Sequence, residues 1–120
     1  MLLDSNILIY GASGGTPALD AILNRNDLSA ASVTRIETLG FHGLSEIERK
    51  WFETAFNRMR ILPLDEAVSA RAIALRCERK MGLADAIIAA TALVHDLPLV
   101  TRNEQDFLRV SGLRLINPFQ

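Results

Sequence analysis

Short, almost wholly apolar runs alternate along the chain with longer stretches whose apolar residues recur every three to four positions. "MLLDSNILIY" opens with an apolar run broken by Asp-Ser-Asn, and reads as a buried strand that ends in a turn. "GASGGTP" is a loop, and Pro17 suits the first position of a helix, "PALDAILNR". "LSAAS" predicts a second strand, and "VTRIETLGFHG" a helix closed by Gly43. In "LSEIERKWFETAFNRM", Ile47, Trp51, Phe52 and Ala55 fall at helical spacing with Glu and Arg on the other side. "RILPL" is a third strand. "DEAVSARAIALRCERK" is an amphipathic helix with Asp65 at its N-cap and Gly82 as its stop.

The stretch "LADAIIAATALV" follows, a helix apolar on nearly every side that carries one charge, Asp85, close to its start. Then come a fourth strand, "LPLVT", a short helix, "NEQDFLRV", and a fifth strand, "LRLIN". Short apolar strands separated by helices predict an α/β fold: a three-layer α/β/α sandwich around a mainly parallel sheet of four to five strands. No repeat, low-complexity segment or linker interrupts the pattern, so residues 1–120 read as one domain.

Composition narrows the function classes. A hydrophobic share of 49% with 22% charged residues is that of a globular chain. A net charge of −1 gives no global positive field, so any dealing with nucleic acid must rest on local geometry or a metal. Eleven of the thirteen cations are Arg, which suits carboxylate and phosphate recognition, although high-GC coding produces the same bias. A single cysteine, Cys77, excludes an intrachain disulfide framework and a Cys-rich zinc site, and reads as an inert, buried or half-buried thiol. The N-terminus lacks the basic start of a signal peptide, and no apolar run reaches the length of a membrane span. A cytoplasmic location is expected.

In a parallel sheet, strand ends and the starts of the following helices share one edge, where ligands bind. Asp4 ends the first strand, Glu37 lies early in the helix after the second, Asp85 in the first turn of the apolar helix, and Asn103 just after the fourth strand. These residues can therefore converge. Three carboxylates in one crevice repel unless a cation joins them, and oxygen-only ligands suit Mg²⁺ or Mn²⁺ over Zn²⁺. Such an ion activates water and polarises a phosphoryl oxygen.

Each residue also has a plain structural role open to it. "DSN" can be an Asx turn, "TRIE" matches a capping box from Thr34 to Glu37, Asp85 can be an ordinary first-turn acid, and Asn103 can cap the next helix. Asp106 reads as a solvated first-turn acid. None of these roles explains why four such groups should reach one edge. His42 and His95 lack partners at metal-ligand spacing; His95 ends the apolar helix, where it can meet the last carbonyls.

"LLDSNILIY", "AASVTRIETLG" and "LADAIIAATALVHDLPLVTRNEQDFLRVSGLRLINPF", in that order, resemble the PIN-domain ribonucleases, in particular the VapC-type toxins of bacterial toxin–antitoxin pairs. The match is weakest over about residues 11–27 and 40–65. The resemblance implies that Asp4 and Asp85 are direct metal ligands and that Glu37 acts through a metal-bound water. Asn103 matches a fourth position that varies between Asp and Asn; the Asn removes one charge and weakens a second metal site. Ser5, Asn6 and Thr101 match polar positions that support the ligands through hydrogen bonds. The connection "RKMGLAD" is shorter than the family's common pattern, which bears on the rim of the pocket. The resemblance also implies a homodimer and a cognate antitoxin seated in an apolar groove. Leu44, Ile47, Trp51 and Phe52 are candidates for that groove, or equally for core or dimer contacts.

The expected function is a Mg²⁺-dependent (or Mn²⁺-dependent) endoribonuclease acting on single-stranded or looped RNA, with Arg35 and Arg102 as possible phosphate contacts. Two alternatives stand beside it. One is a PIN-fold module that binds RNA or an antitoxin-like protein without cutting. The other is a phosphatase, but "GASGG" lacks the Lys-Ser/Thr ending of a P-loop and no second Asp adjoins Asp4.

Overall fold

A computed structural model describes residues 1–120. Five strands, β1 (Leu2–Leu3), β2 (Ser29–Ala31), β3 (Arg60–Leu62), β4 (Leu99–Val100) and β5 (Leu115–Ile116), form one sheet in the order β3-β2-β1-β4-β5. Every pairing is parallel. Six helices lie between strands: α1 (Ser5–Ala12), α2 (Pro17–Leu23), α3 (Ser32–Leu39), α4 (Glu46–Asn57), α5 (Glu66–Glu78) and α6 (Leu83–Val94). A single 3₁₀ turn, Glu104–Asp106, connects β4 to β5. No helix is long and apolar enough to cross a membrane.

The strands are apolar on both faces because both faces are covered. Leu2, Ala31 and Leu99 point into a core shared with Val68, Leu75, Ile88 and Phe107, on the side of α5 and α6. Their neighbours Leu3, Ala30 and Val100 point the opposite way, into a core with Ile7, Leu8, Leu19, Phe52 and Phe56 of α1, α2 and α4. Alternation within strands of two or three residues thus divides the interior into two layers. The α/β/α sandwich expected from the pattern is the one observed.

Helix α6 contributes more side chains than any other element to the first of these cores. Ala86, Ala89, Ala90 and Ala92 are all but fully buried, and side chains this small let the helix approach sheet and neighbour closely. Asp65 caps α5 as expected, its Oδ1 accepting the Val68 N–H at 3.0 Å.

Five local expectations are corrected. The turn expected after β1 is helix α1, with Asp4 as its N-cap; Ile7 and Ile9 read as strand formers, but burial of Ile7 and Leu8 against the sheet overrides that preference. Helix α3 ends at Gly40, four residues past Ile36, whose carbonyl accepts the Gly40 N–H; Gly43 sits beyond it with φ of 93°. Gly82 begins α6 as its N-cap, while α5 has already ended at Glu78. Cys77 is exposed, since it falls on the solvent face of α5. The stretch after β4 keeps only its 3₁₀ turn, and His95 Nε2 is buried without a hydrogen-bond partner.

Candidate active site

The strand order reverses direction between β1 and β4, and the carboxyl ends of these two strands bring Asp4 and Thr101 together. Asp4 is the most constrained residue of the site. Its Oδ1 accepts the Ser5 N–H at 2.8 Å; its Oδ2 accepts the Thr101 hydroxyl at 2.8 Å and the Asn6 amide at 3.1 Å. Thr101 in turn accepts the Asn103 N–H at 3.0 Å, so the hydroxyl can turn its proton only toward Asp4. This chain of bonds ties the residue after β4 to the start of α1.

Glu37 reaches the same edge from α3. Its Oε1 accepts the Ser5 hydroxyl at 2.6 Å, and the Ser5 and Thr34 hydroxyls lie 3.3 Å apart. The capping box proposed for Thr34 and Glu37 is not formed. The N-cap of α3 is Ala31, which places Thr34 and Glu37 inside the helix, and the box of this chain lies at Ser45 and Glu48. Glu37 is thereby free for the crevice. Asp85 stands half-buried in the first turn of α6, whose Gly82 N-cap brings no side-chain acceptor; the carboxylate meets the positive end of the helix dipole unaided by a cap.

The charges feel one another. Asp85 has its pKa pushed up to about 6, first by burial and then by the charges of Asp4, Asp106 and Glu37. Asp4 is raised too, chiefly by burial; the Thr101 and Ser5 hydrogen bonds oppose that shift, and Glu37 and Asp106 add to it. Carboxylates that hold their protons this tightly mark a site short of positive charge. No group of three acidic side chains stands at ligating distance of a common point.

Asp106 is exposed and in the first turn, as the sequence predicts, but its charge also reaches the site. One 3₁₀ turn brings it back over the crevice, its N–H bonded to the Asn103 carbonyl at 3.2 Å, and its charge bears on both Asp4 and Asp85. The signal was available in the spacing "NEQD": three residues is one turn, so Asp106 returns to the side that Asn103 leaves. Asn103 itself is exposed on the rim, holds Thr101 through its backbone, and makes no side-chain hydrogen bond to the protein. A recess beside it is lined by Arg79, Lys80, Gly82, Asp85, Asp106 and Arg109, so the short connection before α6 does form the rim.

The remaining candidates divide. Arg102 borders the crevice, its N–H 3.4 Å from Asn6 Oδ1. Arg35 points elsewhere, into a shallow recess with Leu39, Glu53 and Phe56. A groove of about 580 Å³ runs between α1, α2 and α4, with an apolar floor of Gly11, Leu23, Leu28, Trp51 and Met59, Ile47 at its lip, and Asp20, Glu48, Lys50 and Arg58 among its walls. Of the groove candidates, Ile47 and Trp51 line it. Phe52 does not: it is buried in the core, one helical position round from Trp51. Leu44 packs against that same core.

Comparison with known proteins agrees with this architecture. The profile of the PIN domain matches residues 1–113. Ribonuclease VapC10 of Mycobacterium tuberculosis is 33% identical over 115 residues, covering 89% of this chain and 85% of that protein. A chain of a toxin–antitoxin complex from Klebsiella pneumoniae superposes with a TM-score of 0.82 at 31% identity, over 99% of this chain and 98% of that one. A chain of VapBC2 from Rickettsia felis, solved with a DNA fragment from their promoter, gives 0.83 at 21% identity over 97% and 96%, a likeness of fold.

Proposed function

The chain belongs to the PIN-domain family, and from that premise we propose that it is a metal-dependent endoribonuclease, the toxin of a toxin–antitoxin pair. The observation that carries the reading is the buried Asp4 carboxylate. It is held on both oxygens by Ser5, Asn6 and Thr101, yet keeps a raised pKa, first because it is buried and then because the charges of Glu37 and Asp106 bear on it. A purely structural N-cap would not be surrounded by like charges.

The donor set fits a hard divalent cation. All of it is oxygen, no His or Cys intrudes, and a positive ion would relieve the repulsion that adds to burial in raising Asp85. Asp4 and Asp85 would hold Mg²⁺ or Mn²⁺, with Glu37 and Asp106 in support and Asn103 at the outer edge. When bound, such an ion supplies positive charge to the scissile phosphate and makes water a stronger nucleophile.

The chain's own residues perform the rest. Thr101, Asn6 and the Ser5 N–H fix the direction of Asp4, so that its remaining lone pairs face the crevice. Ser5 ties up one oxygen of Glu37 and leaves the other to orient a water or take its proton. Protonated Asp85 cannot act as a ligand, so activity rises with pH through its apparent pKa until cation binding pulls that value down.

A short antitoxin is the proposed partner, an amphipathic segment of it filling the groove at Trp51 and Ile47. A homodimer is proposed as well, since Ile36, Phe41, Leu64 and Ile73 are exposed apolar side chains. The function is tested by incubating purified protein with structured RNAs, with Mg²⁺ or EDTA, beside Asp4→Asn. Cutting that needs the cation and drops by at least about a hundredfold in the variant is expected. Cutting indifferent to chelation and to the substitution rejects the metal mechanism, and no cutting of any RNA favours a binding module.

A further inference from the structure

Arg102 is set apart from the other cations of the chain. Like most cations of the chain it joins none of the four ion pairs, but it is the one whose charge lies over aromatic rings. Its guanidinium rests on two rings, Cζ lying 4.6 Å from the centroid of Tyr10 and 4.7 Å from that of Phe119. The rings are themselves 5.2 Å apart at 60°, so guanidinium and rings make a nearly equilateral triangle.

Each corner is anchored separately. Tyr10 belongs to α1, the helix that Asp4 caps. Phe119 lies on the C-terminal tail, which Asn117 and Gln120 fasten to Glu104 Oε2 at 3.4 and 3.0 Å. Glu104, the acid nearest in sequence, bonds these two amides through Oε2 and makes no ion pair with Arg102. The Arg102 backbone is bracketed by Asn6 and Asn117, and the residue before it is the Thr101 that bonds Asp4.

We infer that Arg102, steadied by Tyr10 and Phe119, is the phosphate clamp that lays an RNA strand across the acidic crevice. The inference rests on the ribonuclease reading above. An edge crowded with carboxylates repels a polyanion, and an unpaired cation at its border offsets that repulsion where the backbone must approach. Stacking on the rings restricts the guanidinium while leaving N–H donors on its edge for the paired oxygens of a phosphate. Tyr10 and Phe119 are positioning residues that act through Arg102, and the C-terminal tail becomes part of the substrate wall.

The test compares wild type with Arg102→Ala, Arg102→Lys and Phe119→Ala in steady-state cleavage. Binding of a fluorescent single-stranded oligoribonucleotide of mixed sequence is read in an Asp85→Asn background, where cutting is stopped. Arg102→Ala is expected to raise KM about tenfold with little change in kcat, and to weaken binding to match. It should also flatten the slope of log K against log salt by about 0.7, the share of one phosphate on a single strand. Arg102→Lys should restore the slope and part of the affinity. Phe119→Ala should weaken binding in wild type but add nothing to Arg102→Ala. An Arg102→Ala protein that cuts, binds and responds to salt like an active wild type overturns the clamp alone, as does one that loses only antitoxin affinity or only thermal stability. Loss in Phe119→Ala without loss in Arg102→Ala would make the rings a base platform and overturn it too. A wild type that neither cuts nor binds RNA overturns the ribonuclease reading, and the clamp with it.

Discussion

The acidic crevice and the apolar-floored groove lie at opposite ends of helix α1, and they are built on opposite principles. At the helix start, Asp4 is held by three hydrogen bonds and Glu37 by one, so the side chains are fixed while their charges oppose one another. At the helix end, Gly11 brings its bare backbone against Leu23 and Trp51, with no polar network at all: a Cβ there would stand 2.7 Å from Leu23 Cδ1 and 2.8 Å from the Trp51 ring. The crevice is rigid and electrostatically unsatisfied, and its occupant must carry positive charge. The groove is shape-limited, with an apolar floor and charges of both signs, Asp20, Glu48, Lys50 and Arg58, along its walls, so it suits an amphipathic occupant. One eight-residue helix therefore presents two sites that answer to unrelated chemistry.

The largest expected effect separates function from stability at the crevice. Asp85→Asn should abolish detectable cleavage, yet raise the melting temperature of the metal-free protein at neutral pH, because it removes a carboxylate whose ionisation the fold resists. The same physics sets a pH dependence. The folded Asp85 titrates near 6 against 3.8 when unperturbed, so between these values the folded state binds the proton more tightly than the unfolded one. Metal-free stability should then fall as pH rises from about 4 to about 6, and Mg²⁺ should offset the loss above it. Denaturant melts across that window check both points; a rise in stability with pH would contradict them.

Thr101→Val comes next. It deletes the hydrogen bond that most favours ionised Asp4, and cleavage should drop about 10–100-fold with the fold intact. Direct ligand loss and this variant are told apart by Mg²⁺ titration, where Thr101→Val should recover in part at high metal.

Changes in the groove should leave cutting alone. Gly11→Ala forces Trp51 or Leu23 to shift and should cost about 1–3 kcal/mol of overpacking, less up to about 1 kcal/mol of helix propensity. Ile47→Asp, at a side chain 83% exposed, should alter stability by no more than about 0.5 kcal/mol while weakening antitoxin capture. An Ile47→Asp protein that loses ribonuclease activity would erase the distinction between the two sites.

Much of the crevice could be read along the chain. Asp85 stands out because it is the one charge in an apolar helix, and "LVTRN" because polar residues follow a buried strand at a sheet edge. Asp106 is the solvated first-turn acid that the sequence suggests, and only the 3₁₀ turn shows that its charge also bears on Asp4 and Asp85. Helix α1 escaped the residue pattern. "NILIY" lacks a polar face, and its helical state depends on Ile7 and Leu8 finding the sheet. The capping box likewise matched at two places, Thr34 and Ser45, and only the second is a helix start.

Order of elements, the covered parallel sheet and the types of group available to the site are properties that residue pattern alone determined, since periodicity and strand-end chemistry are local. Which charges press on which, that Asp106 joins while Arg35 leaves, and that a Gly beside a Trp opens a groove were decided by the tertiary structure. Coulomb and packing forces depend on distance in space, and partners here lie as far apart along the chain as Asp4 and Thr101.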